Sequence, residues 1–182
     1  MMAPVVPGPK LLESPETKIN QEGVIMARVH TAIAAKDYPD HGISKGDKYW
    51  HWTPYRQKRR LSKTPPRASQ VESNDTKANL YSITEGLMDS VNMATTVEEI
   101  KTAVASAIEE CDTVYDEFNE KADNLEEGFG HETQQSEEIR GWAEEVESWK
   151  NDLDSVDLEP DEDNQDFDFQ EMIQEIPEWS GF

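Results

Sequence analysis

From Thr96 onward the apolar residues fall at a spacing that only a helix satisfies. Val97, Ile100, Val104, Ala107, Cys111, Val114 and Phe118 alternate by three and four positions, and Lys121 or Ala122 and then Leu125 extend the row. Thr96-Val97-Glu98-Glu99 reads as a capping box that opens this helix, and Gly128-Phe129-Gly130 reads as the turn that closes it. A second row follows at Ile139, Trp142, Val146, Trp149, Leu153 and Val156. A third precedes, at Leu80, Ile83, Leu87 and Val91, with Ser73 or Asn74 as its cap and a break over Asn92 to Thr95. Seams this narrow need an antiparallel partner, either within one chain or across a homodimer. Gly141 costs its helix up to ~1 kcal/mol, little beside two tryptophans that can each bury ~150–250 Å².

Charge divides the chain sharply. The net charge is −22, yet residues 1–76 hold 12 basic and 8 acidic residues while residues 77–182 hold 5 and 31. Between Lys45 and Arg67 stand eight basic residues (Lys45, Lys48, Arg56, Lys58, Arg59, Arg60, Lys63, Arg67) against one acid, Asp47, with Tyr49, Trp50, Trp52 and Tyr55 interleaved. Only 35% of the 182 residues are hydrophobic and 31% are charged, so one or two small cores are the most the chain can bury. Four regions follow: a disordered tail over 1–22, rich in proline; a basic aromatic module over 23–70; an acidic helical hairpin or bundle over 71–156; and an acidic disordered tail with an aromatic end over 157–182.

Within the module, Val24, Ile25, Met26, Val29 and Ile33 fit either a strand or a short helix. Asp37-Tyr38-Pro39-Asp40-His41-Gly42 and Lys45-Gly46-Asp47 carry turn chemistry. Lys48-Tyr49-Trp50-His51-Trp52 is then an aromatic strand with Tyr49 and His51 on one side and Trp50 and Trp52 on the other, ended by Pro54. The expected class is α+β: a small β-hairpin-type N-terminal module of two or three strands, then a helical hairpin or three-helix body, with disordered termini.

Ala35-Lys36-Asp37-Tyr38-Pro39, Gly42-Ile43, Lys45-Gly46-Asp47-Lys48-Tyr49, Trp52 and Ser62-Lys63-Thr64-Pro65-Pro66-Arg67 to Ser69-Gln70 carry a resemblance to a family of uncharacterised proteins from tailed-phage genomes. Asp123-Asn124-Leu125-Glu126-Glu127-Gly128 and Trp142-Ala143-Glu144-Glu145-Val146-Glu147 resemble the downstream region of the same family, so the likeness spans roughly residues 35–155. Proteins similar to that family carry cysteine pairs around the Ile-x-Lys-Gly-Asp turn, in the manner of a small zinc finger; those cysteines are absent here. The resemblance implies a phage origin and names no activity.

Lysine and arginine neutralise phosphates while aromatic faces stack bases, so Lys45, Lys48, Tyr49, Trp50, Trp52, Tyr55, Arg56, Lys58, Arg59, Arg60, Lys63 and Arg67 form the expected nucleic-acid-binding set. The overall charge of −22 points to weak rather than tight binding. Phe167, Phe169, Ile176, Trp179 and Phe182, set in an acidic background, form an expected partner-docking set, suited to a basic-rimmed apolar groove on a host or phage protein, in a tail that alternatively masks the chain's own basic module. His30, His41, His51 and Cys111 lack the spacing of a structural metal site, and the chain has no phosphate loop or nucleophile elbow. A non-enzymatic accessory protein without metal or cofactor is expected. With one cysteine, no apolar run long enough for a bilayer and no charged start before an apolar stretch, its expected place is the cytoplasm of an infected host cell. The competing expectation is an acidic protein-interaction factor that binds no nucleic acid, either structural or a host-enzyme inhibitor presenting a DNA-like acidic surface.

Overall fold

The pleat of the aromatic strand decides the first half of the fold. A computed structural model describes residues 27–158 and 169–179, and the chain divides between Pro66 and Arg67 into two compact units. In the first, β1 (His30–Ile33), β2 (Lys48–Trp52) and β3 (Arg60–Ser62) form an antiparallel sheet in the order β1-β2-β3. The register sets His30 opposite His51, Ala32 opposite Tyr49 and His51 opposite Leu61. Alternation therefore puts Tyr49, His51, Ala32 and Leu61 on one face, where Ala34, Ile43 and Tyr49 are buried against Ala32, Tyr38 and Leu61.

Of the segment before the Asp37 turn, open to strand or helix on sequence grounds, Val24, Ile25 and Met26 lie outside the described residues and His30–Ile33 is strand β1. Its larger aliphatics point away from the core: Ile33 is 65% exposed and the alanines turn inward. The rings of Tyr38 and Tyr49, 5.8 Å apart between centroids, pack in the same cluster as Ala32 and Ala34.

The long β1–β2 connection is held by its own backbone. Tyr38 and Ile43 pair through two N–H···O bonds of 2.7 and 3.2 Å around a 3-10 turn at Pro39–His41. The Asp37 carboxylate accepts the Lys45 N–H at 2.6 Å, and Asp47 accepts that of Ser44 at 3.1 Å. Gly46 (φ 94°) then donates to the Ala34 carbonyl, a backbone shape that costs glycine nothing.

The second unit is helical: α1 (Ala68–Val71), α2 (Asp75–Met93), α3 (Val97–Phe129), α4 (Gln134–Asp154) and α5 (Phe169–Glu175). Asn74 caps α2 by accepting from the N–H groups of Thr76 and Lys77, the kind of contact that contributes about 1 kcal/mol. Thr96 caps α3 through the Glu99 N–H, but the expected reciprocal box is displaced by one residue, because the Glu99 carboxylate takes the Thr95 N–H (2.7 Å) and hydroxyl (3.1 Å) instead. Gly130, at φ 73°, ends α3 by donating to the Glu126 carbonyl at 2.7 Å. Thr133 and Ser136 form a true box at the start of α4.

At 33 residues, α3 is roughly 50 Å long and serves as the central rod, with α2 and α4 packed antiparallel along it. The Thr76 hydroxyl donates to Glu117 (2.9 Å), and Arg140 reaches Asp123 (2.8 Å) and Glu126 (3.0 Å). Ion pairs this exposed fix register more than they add stability. The core is the three predicted rows, with Leu80, Val91, Ile100, Cys111, Phe118, Val146 and Leu153 all at 1% exposure or less.

Three details depart from the sequence pattern. Ala143 takes the seam position next to Ile139, while Trp142 sits half-buried beside it, edge-on to Phe118 with centroids 5.8 Å apart. The Lys77 ammonium covers that indole at 3.5 Å from the ring centroid, which lets a lysine be 4% exposed inside a helical bundle. Helix α4 ends at Asp154, so the row closes at Leu153 and Val156 lies beyond it.

The expected disordered tail over 157–182 is also corrected over residues 169–179. Met172 (6% exposed) and Ile176 (3%) join the main core, and Trp179 meets Trp149 with ring centroids 5.7 Å apart. The Trp149 indole N–H donates to the Pro177 carbonyl at 3.0 Å. Met172, Ile176 and Trp179 are spaced by four and three, an apolar stripe that suffices to dock a short acidic segment. Residues 1–22, 159–168 and 180–182 of the expected tails lie outside the described residues.

Candidate nucleic-acid interface

Strand β2 offers its second face to a possible ligand. On it lie Lys48, Trp50 and Trp52, with Thr31 and Ser62 directly flanking Trp50 from β1 and β3, and Arg60 opposite Trp52. Trp50 is half-buried, and the Lys48 ammonium stands 5.2 Å from its ring centroid.

Beyond Trp52 the chain turns through Pro54, where the Gln57 N–H bonds the Pro54 carbonyl at 3.0 Å. The loop displays Tyr55, 54% exposed, with the Arg56 guanidinium 5.0 Å from its ring centroid. Arg56 has φ 57°, the one non-glycine residue with positive φ among those described. A side chain held there costs on the order of 1–2 kcal/mol, so the loop keeps a basic residue where glycine would sit without strain.

Apart from the half-buried Trp50, the expected binding set separates into four groups. Lys45, Lys48, Tyr55, Arg56, Lys58, Arg59 and Arg60 are exposed. Of these, Lys45, Lys58 and Arg59 have no side-chain ion pair or hydrogen bond among the described residues, and Arg60 donates to Gln57 at 2.7 Å. Lys63 is exposed but pairs with Asp47 at 3.0 Å; the Ser44 N–H and then Lys63 hold the Asp47 carboxyl below its ordinary value. Arg67 belongs to the helical unit, where it pairs with Asp89 at 2.6 Å and is held more firmly protonated by it.

Tyr49 and Trp52 form the fourth group and leave the stacking set. They are 6% and 3% exposed, so neither ring face can receive a base. Trp50 and Tyr55 are the two aromatics of the set that present surface.

Sequence reasoning missed the histidine pair on the Tyr49 face. His30 and His51 stack at 5.2 Å with planes 15° apart. Burial, then the charge of Arg59, then His30, pushes the His51 pKa down. Their pairing depends on the β1–β2 register, which no local spacing reveals.

The partner-docking set fares differently. Ile176 and Trp179 are engaged by the chain's own helical unit, Phe169 opens α5, and Phe167 and Phe182 lie outside the described residues. Cys111, on the α3 seam, is fully buried, and burial followed by Asp112 and Glu110 pushes its thiol up to about 12. At neutral pH it is a protonated core side chain. No cluster of three or more metal-ligating side chains is present among the described residues, and none of their helices is long and apolar enough to cross a membrane. Compared with protein-family models, curated proteins and solved structures, the chain matches none.

Proposed function

We propose that this chain is a non-enzymatic, phage-encoded accessory protein of the infected host's cytoplasm that binds nucleic acid weakly through its basic aromatic module. The observation that carries this reading is the β2–β3 hairpin: Lys48, Arg56, Lys58, Arg59 and Arg60 are exposed, and they alternate with the accessible rings of Trp50 and Tyr55. Residues 27–66 hold nine Lys and Arg against three Asp, whereas residues 67–158 hold six against twenty-four Asp and Glu. A phosphate chain is drawn to the first and repelled by the second, which keeps affinity low and salt-dependent.

One observation favours an alternative role for the helical unit as an acidic, DNA-like protein-docking surface. Its cations are spent locally: Arg67, Lys101, Arg140 and Lys150 sit in ion pairs, Lys77 is buried over Trp142, and Lys121 bonds the Thr76 hydroxyl. The carboxylates outnumber them fourfold along the helices. Substituting Lys58, Arg59 and Arg60 together by Ala separates the two readings. The first expects at least a tenfold loss of oligonucleotide affinity at low salt with an unchanged circular dichroism spectrum. Undiminished binding by the triple variant removes the hairpin from consideration as the site.

A further inference from the structure

We infer that the ligand of this module is an unpaired strand whose base stacks on Trp50, not a duplex. The inference rests on the nucleic-acid reading above and assigns the class of polymer. Trp50 occupies the centre of the Lys48 side of the middle strand, between the exposed Lys48 and the buried Trp52, and its cross-strand partners, Thr31 and Ser62, are both small. Directly opposite side chains in a sheet lie only about 4.5–5.5 Å apart at Cβ, so small neighbours on both sides leave part of the half-buried indole uncovered.

The surroundings complete a platform. Lys48 lies two residues along the same face with its ammonium 5.2 Å from the indole centroid, and Ile33, 65% exposed, is its partner on β1. Arg60 stands on β3 toward the other end. A splayed base fits over Trp50 with its edge against Ile33, and the phosphates on either side fall to Lys48 and Arg60.

An intact duplex has no use for such a face. Its bases are stacked on one another and offer only their edges, which are read by hydrogen-bonding side chains carried into a groove. The apolar surface of Trp50 and Ile33 would stay in water. Sequence-tolerant stacking on an aromatic, with cations along the backbone, is how single strands are held.

The test uses the full chain and two fluorescently labelled probes, a thymidine oligonucleotide and a hairpin duplex of equal phosphate count, followed by anisotropy at low salt. The expected result is affinity for the single strand at least tenfold above that for the duplex. Trp50→Ala should remove most of that difference while leaving duplex affinity unchanged, and Trp50→Phe should restore most of it; the duplex value guards against a folding defect. Equal binding of both probes, or a single-strand affinity indifferent to Trp50→Ala, overturns the assignment while leaving the basic hairpin as a nucleic-acid site. Absence of binding to either probe overturns the nucleic-acid reading itself and the assignment with it.

Discussion

Phe118→Ala lowers the stability of the helical unit by about 3–5 kcal/mol, the range for emptying an aromatic site in a well-packed core. Phe118 is 0% exposed and sits where α3 is flanked by both α2 and α4, edge-on to Trp142. The cavity cannot collapse easily, because its walls are held from three sides: Arg140 ties α4 to Asp123 and Glu126, Thr76 ties α2 to Glu117, and Lys77 covers Trp142. For a unit of this size the loss corresponds to a fall in Tm of roughly 10–20 °C, measured by far-ultraviolet circular dichroism. A loss below about 1 kcal/mol would mean that the three helices do not share this core.

Ile176→Asp releases the α5 segment while the bundle stays folded. Ile176 is 3% exposed and packs into the apolar core, where a carboxylate loses its hydration. The segment leaves in preference to burying the charge, and the damage is limited to its own docking free energy. Amide protection over residues 172–179 should fall by about a hundredfold, an opening cost reduced by roughly 3 kcal/mol. Trp149, which loses Pro177 and Trp179 as cover, becomes accessible to acrylamide. Retained protection over 172–179 would show that Met172 and Trp179 hold the segment without Ile176.

Much of the helical unit was legible because its signals are local. The three-and-four alternation from Val97 to Phe118 needs no knowledge of a partner, nor do the caps at Asn74 and Thr96 or the left-handed Gly130. The misses share a cause: they are decided by what lies across from a residue. Alternation along β2 divides Tyr49 and His51 from Trp50 and Trp52, yet it says nothing of which positions are covered, and each face holds one buried aromatic. Ile33 outranks Ala32 in hydrophobicity, but the register puts Ala32 on the inner face opposite Tyr49 and Ile33 on the outer one.

Lys77 reads as a solvated helix residue until Trp142 is placed over it. Met172, Ile176 and Trp179 make a docking stripe hidden in a strongly acidic tail, where average composition outweighs three well-spaced side chains. The candidate site was legible as charge: nine of its twelve residues stand exposed as the basic aromatic pattern implies. Its geometry was not, since the burial of Tyr49 and Trp52, the ion pairs of Lys63 and Arg67 and the positive φ of Arg56 all arise from contacts distant in sequence or from the turn itself.

The central claim is that the basic hairpin holds a phosphate chain, and a salt titration of the full chain with a labelled single-stranded oligonucleotide tests it most directly. If Lys48, Arg56, Lys58, Arg59 and Arg60 all contact phosphate, the logarithm of the binding constant falls linearly with the logarithm of salt concentration at a slope of about −3.5. A slope near zero, or no binding even at low salt, contradicts the claim and leaves the acidic helical surface as the working part of the protein.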